Sequence, residues 1–153
     1  MAGKTTMVPM EDVDARWEIA AVLDRYAEAL DSRRWELLTD VFVPELEFDF
    51  GEWVANSREE AVATIRTYLD GCGATQHLLG NYRIAVNGET AVSRVYVRAF
   101  HLGTGSAAGK TYEMGGEYRD ALRRTPEGWR SFRREGVVFW ETGSREVLGP
   151  SAS

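Results

Sequence analysis

Only two histidines occur in the 153 residues, His77 and His101, so imidazole chemistry has two possible seats. Asp31 lies four residues after Ala27 and eleven after Ala20, on one stripe of a helical pattern. It falls at the end of that pattern, where a negative charge opposes the helix dipole and needs a partner. The alternative is that it only caps or bridges locally. His101 shares a strand face with Ala91, Ser93, Val95, Val97 and Ala99, which points it inward. The alternative is a satisfied core histidine. His77 alternates with Leu79 and Asn81, and the pattern leaves its direction open. Arg134 shares a face with Phe132, Val138 and Trp140, which suggests a buried ion pair or an anion contact. At a strand edge it would instead snorkel to water. A carboxylate beside an imidazole makes a dyad: Asp31 would orient His77 and stabilise its charged form, leaving the other ring nitrogen as base. Tyr26 would donate to a developing oxyanion. The chemistry is proton abstraction next to a carbonyl. Tyr26 and Asp31 are five residues apart, about 140° around an ideal helix, so the pocket must be wide or the helix end distorted.

The elements that must position these groups follow from periodicity. Ile19, Leu23, Tyr26, Ala27 and Leu30 predict a helix over 12–32. Trp35 to Phe42 predicts a second, short helix stopped before Pro44. Leu46, Phe48 and Phe50 alternate with Glu45, Glu47 and Asp49 as in a strand. Ser57 and Glu60 form a capping box that opens a third helix reaching about Leu69, which Gly71 and Gly73 end. Strands are predicted at roughly 75–86, 90–102, 110–123 and 129–142, with Asn87-Gly88 as a hairpin turn in which both residues tolerate positive φ. Helices first and a meandering sheet afterwards give an α+β fold, a sheet curling round helices to enclose a conical pocket. Residues 1–10 and 146–153 read as flexible tails, and 11–145 as a single domain.

Composition narrows the function. A chain with 44% hydrophobic and 27% charged residues is near the globular average, and its net charge of −6 argues against nucleic acid, which favours basic surfaces. One cysteine, Cys72, cannot form an internal disulfide and fits a reducing cytoplasm as an inert loop thiol. The segment MAGKTTMVPM has no apolar h-region and no apolar run reaches about 18 residues, so neither a secretory leader nor a membrane span is expected. Gly103 to Thr111 resembles a phosphate loop, but it is one residue too long between Gly103 and Gly109 and a strand follows it, so no nucleotide is expected. The arginines between 119 and 134 alternate with Glu and Asp as on an ordinary solvated face.

Asp31-Ser-Arg-Arg-Trp-Glu-Leu-Leu38, Thr75-Gln76-His77 and Arg98-Ala-Phe-His101 together resemble scytalone dehydratase, and more widely the SnoaL-like group of the nuclear-transport-factor-2-like superfamily, over roughly 11–142. The resemblance implies a conical α+β barrel, a curved, mostly antiparallel sheet wrapped by three N-terminal helices. It implies neither metal nor organic cofactor, and a homo-oligomer, dimer or trimer. Asp31 and His77 then become the catalytic dyad and His101 a pocket residue that polarises substrate or holds water. Arg134 matches an arginine of related dehydrochlorinases, and Tyr26 a tyrosine of related bile-acid dehydratases. Two tyrosines of scytalone dehydratase fall at Leu30 and Phe50, and its polar pair on the fourth strand at Gly116 and Tyr118. Carbonyl recognition therefore differs, and scytalone is not the expected substrate. Phe50, Tyr118, Met114, Trp140 and Leu30 are the expected substrate-binding residues.

The expected function is a cofactor-independent lyase (a dehydratase) or cyclase acting on a small hydrophobic, cyclic or polyketide-like carbonyl compound. The alternatives are an isomerase or epoxide-opening hydrolase in the same pocket, a non-catalytic ligand-binding or assembly module in which Asp31 and His77 do not meet, and a metal site of His77, His101 and one carboxylate.

Overall fold

The structure is a computed structural model, and it describes residues 10–149. Helix α1 (Met10–Ser32) buries Ala15, Ile19, Val22, Leu23, Tyr26, Ala29 and Leu30, the three- and four-residue steps of one stripe. It starts two residues earlier than its periodicity predicts. The predicted second helix is a single 3-10 segment, Trp35–Asp40. Phe42 already belongs to strand β1 (Phe42–Asp49), which runs through Pro44. Proline is tolerated there because the pairing of β1 is irregular between Phe42 and Glu47, so no ladder hydrogen bond is lost. Strand β2 (Val54–Ala55) is short. Helix α2 (Arg58–Leu69) is capped by Ser57, whose hydroxyl accepts from the Glu60 N–H, and it ends at the expected residue.

Strands β3 (Thr75–Asn87), β4 (Thr90–Leu102), β5 (Thr111–Thr125) and β6 (Gly128–Gly143) form antiparallel neighbours. The six-stranded sheet has the order β2-β1-β6-β5-β4-β3, and only β1 and β6 run parallel. The sheet does not close, and it curves round α1, α2 and the 3-10 segment as a cone. In the β3–β4 hairpin the central residues are Gly88 and Glu89, not the expected Asn87 and Gly88; Gly88 alone takes a positive φ, +61°. An irregularity between Gly80 and Arg83, with Asn81 at φ +53°, bends β3 so that the Tyr82 hydroxyl reaches Asp24 of α1.

Bulges change the faces of β6. Phe132 and Phe139 are each left without a partner on β5. Arg134 consequently points inward alongside Gly136, and the strict alternation that grouped it with Phe132 and Trp140 does not hold. The residues expected as a C-terminal tail also differ in part. Arg145–Val147 form a 3-10 turn, Val147 is buried and its carbonyl accepts from the Cys72 thiol. Residues 1–9 and 150–153 of the expected tails lie outside the described residues. Of the arginines read as a solvated face, Arg119 is more ordered: together with Arg83 and Arg94 it bonds Glu117, whose side chain the three bury on the outer face of the sheet and hold at about pKa 2, against the pull of burial.

Candidate active site

Asp31 is in the last turn of α1, and β3 passes beside it. The His77 backbone N–H donates to Asp31 Oδ2 (2.8 Å), the His77 ring Nδ1 lies 2.7 Å from Oδ1, and the Thr75 hydroxyl donates to Oδ1 (2.9 Å). Strand alternation explains the pair of donors, since Thr75 and His77 share the inward face of β3. Burial pushes the pKa of Asp31 up, but these hydrogen bonds outweigh it and hold the carboxyl below its ordinary range. A carboxylate is an acceptor only, so Nδ1 carries the hydrogen and Nε2 is left as the lone-pair nitrogen. The arrangement in which Asp31 and His77 stay apart, expected of a non-catalytic module, is not the one found.

His77 and His101 meet edge to face, ring centroids 5.5 Å apart. His101 Nδ1 lies 3.2 Å from the Tyr112 carbonyl, which fixes Nδ1–H as the donor. Burial first, then the neighbouring His77, pushes His101 down to about 4, so it is neutral near pH 7. It can accept a hydrogen bond through Nε2 but cannot act there as an acid.

Both histidines line a cavity of about 700 Å³ that also touches Tyr26, Leu30, Phe50, Met114 and Tyr118. Gly136 makes room for Phe50: a Cβ there would come within 2.3 Å of its ring. Phe50 continues a set of near-parallel rings with Phe48 and Trp53. Trp140 reaches the cavity wall, yet its ring lies over Gly115 and Arg98 on the outer face, the register that the Phe139 bulge imposes.

Arg134 is not among the lining residues. Its Nε bonds both oxygens of Asp120 at 2.9–3.0 Å, and both side chains are fully buried. The other two guanidinium nitrogens have no hydrogen-bond partner among the described residues, and the group is packed against Tyr26 (4.2 Å to the ring centroid), Tyr118 (4.8 Å) and Phe42 (5.1 Å). It therefore packs behind the two tyrosines, outside the cavity lining. Burial raises the pKa of Tyr26, partly offset by Arg134, so its hydroxyl stays protonated as a donor.

Several lining or supporting groups escaped the sequence reading. Trp53 and Tyr112 line the cavity. Thr75 carried a usable signal, two residues before His77 on the same strand face. At the mouth, Arg145 bridges Glu52 and Glu141, and Glu141 accepts from the Tyr112 hydroxyl. Gly103 to Thr111 packs as a tight turn, Gly103 against the Ala107 carbonyl. Among the described residues no group of three or more His, Cys, Asp or Glu is placed to hold a metal ion, and no helix is long and apolar enough to cross a membrane.

The geometry has relatives. An uncharacterised protein of Mycobacterium tuberculosis is 30% identical over 131 residues, 84% of this chain and 88% of its own. A protein of Novosphingobium aromaticivorans provisionally named scytalone dehydratase superposes with a TM-score of 0.74 at 25% identity, covering 87% of each chain. A hexachlorocyclohexane dehydrochlorinase of Novosphingobium barchaimii superposes with a TM-score of 0.77 at 14% identity, covering 88% of this chain and 93% of that one. The SnoaL-like domain profile matches residues 11–135. With that match the chain belongs to the SnoaL-like domain family, and its fold is that of the nuclear-transport-factor-2-like proteins.

Proposed function

We propose that the protein is a cofactor-independent lyase or cyclase for a small, hydrophobic, ring-containing carbonyl compound. His77 Nε2 takes a proton α to the carbonyl, and Asp31 stabilises the imidazolium that forms. Tyr26 donates to the oxygen on which charge develops. The resulting enolate expels a β-leaving group, water in the dehydratase reading, with the His77 proton returned to it; in the cyclase reading the enolate carbon attacks a second carbonyl of the substrate, whose C=O π pair moves to oxygen and takes the His77 proton. The carrying observation is the 2.7 Å contact between Asp31 and His77 at the wall of an aromatic cavity. The dehydratase and dehydrochlorinase among its structural neighbours agree with a lyase, and they leave the substrate open.

The test is turnover of a panel of β-hydroxy cyclic ketones by the protein and by His77→Gln and Asp31→Asn. Each variant is expected to lose about 10²- to 10⁴-fold in kcat. Unchanged turnover in folded variants sinks the mechanism. Mass analysis of the product separates elimination from isomerisation, which conserves mass.

A further inference from the structure

Helix α1 ends in a Schellman motif, the Arg34 N–H on the Ala29 carbonyl and the Arg33 N–H on the Leu30 carbonyl. Asp31 is thus placed just inside a defined stop. The residue that takes the left-handed conformation is Arg33, φ +56°, where glycine is the usual occupant. Its side chain folds back over the helix end and ties three segments together. Nε donates to the Leu69 carbonyl at the end of α2 (3.2 Å), and Nη2 to the Gly73 carbonyl (2.9 Å). Nη1 donates to the Leu30 carbonyl and to the Thr75 hydroxyl (2.9 Å).

A guanidinium only donates. The Thr75 oxygen accepts from it, so the one hydroxyl proton of Thr75 is directed to Asp31 Oδ1. Asp31, ionised, only accepts, and His77 must offer Nδ1–H. Of the side chains in this network, Thr75, Asp31 and His77 can each exchange donor and acceptor roles by rotation or protonation, and Arg33 cannot. We propose that Arg33 and Thr75 are positioning residues: they direct the Thr75 hydroxyl onto Asp31 Oδ1 and so keep that oxygen an ionised acceptor for the His77 ring. The inference rests on the reading of that dyad as base and orienter, but its geometry is independent of any substrate. Besides the members of the chain, the titratable groups that face it are His101 on β4 and the Cys72 thiol after α2.

The experiment is a carboxyl-carbon NMR titration of Asp31 together with ring-nitrogen spectra of His77, in the full-length protein. Thr75→Val keeps the shape and removes the hydroxyl. Arg33→Gly suits the left-handed backbone and removes the guanidinium. Both are expected to raise the Asp31 midpoint by about one pH unit, the worth of one hydrogen bond to a charge. Thr75→Ser is expected to restore it, which a merely structural role for the methyl group does not predict. An Asp31 midpoint unchanged in both Thr75→Val and Arg33→Gly overturns the inference. A midpoint that moves in the expected direction supports it even if turnover does not change, and in that case the catalytic reading of His77 is what fails.

Discussion

The side chain of Asp31 bonds His77 twice, through the ring Nδ1 at 2.7 Å and the backbone N–H at 2.8 Å. One carboxylate thereby reads both the position of the strand and the rotation of the ring. An asparagine in its place has the same shape, but only one of its two terminal atoms can accept. Asp31→Asn should therefore misdirect the imidazole while leaving the fold in place. The expected signature is a loss in kcat that exceeds any change in KM, with a urea midpoint at pH 7.5 lowered only by the stability that the ionised carboxylate supplies. A loss confined to KM would point to binding and not to proton transfer.

His101 makes stability depend on pH. The unfolded imidazole takes a proton near 6.5, the folded one only near 4, so between these values the unfolded chain holds more protons. Stability should be full above about pH 6.5, fall on acidification, and level off for this group below about pH 4, by about 3 kcal/mol at most. Asp31, held below the ordinary carboxyl range, has the same sign: its contribution is present above that range and lost as pH falls through its folded value. Urea unfolding at pH 7.5 and 5 measures the slope. His101→Gln should flatten it, and an equal slope in that variant would assign the effect elsewhere.

The buried Arg134–Asp120 pair predicts a strong asymmetry. Arg134→Met leaves Asp120 as a lone buried charge and should cost about 3–5 kcal/mol. Adding Asp120→Leu should recover most of that loss, because a well-packed apolar pair can replace a buried ion pair. Chemical denaturation of the single and double variants decides it. A double variant as unstable as the single one would mean that the pair itself supplies net stability.

Charge at the cavity mouth should select against anions. Among the described residues that line the cavity, Asp49, Glu52, Glu135 and Glu141 outnumber the one cation, Arg145, which bridges Glu52 and Glu141, while Glu135 pairs outside the lining with Arg119 (3.7 Å). Matched rings differing in charge test this: 1-naphthoate should bind about tenfold more weakly than 1-naphthol at low salt, with the gap narrowing as salt is added. Equal binding of the two would show that the rim carries no selectivity.

The long elements were legible because each has one buried face. The stripe through Ile19, Leu23, Tyr26 and Leu30, the Ser57–Glu60 cap and the alternation along β4 all follow from local pattern. The failures sit where tertiary context overrides it. Phe42 looked like the end of a helix, but parallel pairing with β6 makes it strand. Trp140 and Arg134 were grouped by strict alternation, which the bulges at Phe132 and Phe139 break. Arg33 was invisible as a support, since nothing local says that a left-handed arginine will reach Thr75. Val147 looked like tail because its burial depends on a surface built by distant residues.

The parallel pairing of β1 with β6 also sets an order of assembly. Phe48 of β1 finds its ladder partner, Arg134, only in the last strand, and Phe50 packs against Gly136 beyond it. While the chain is being made, the apolar side of β1 has only the two-residue β2 to pair with. The wall of the cavity nearest Phe50 thus has to wait for the last strand. Until then the hydrogen-bonding edge of β1 that β6 will take up is open, and an open strand edge invites mispairing.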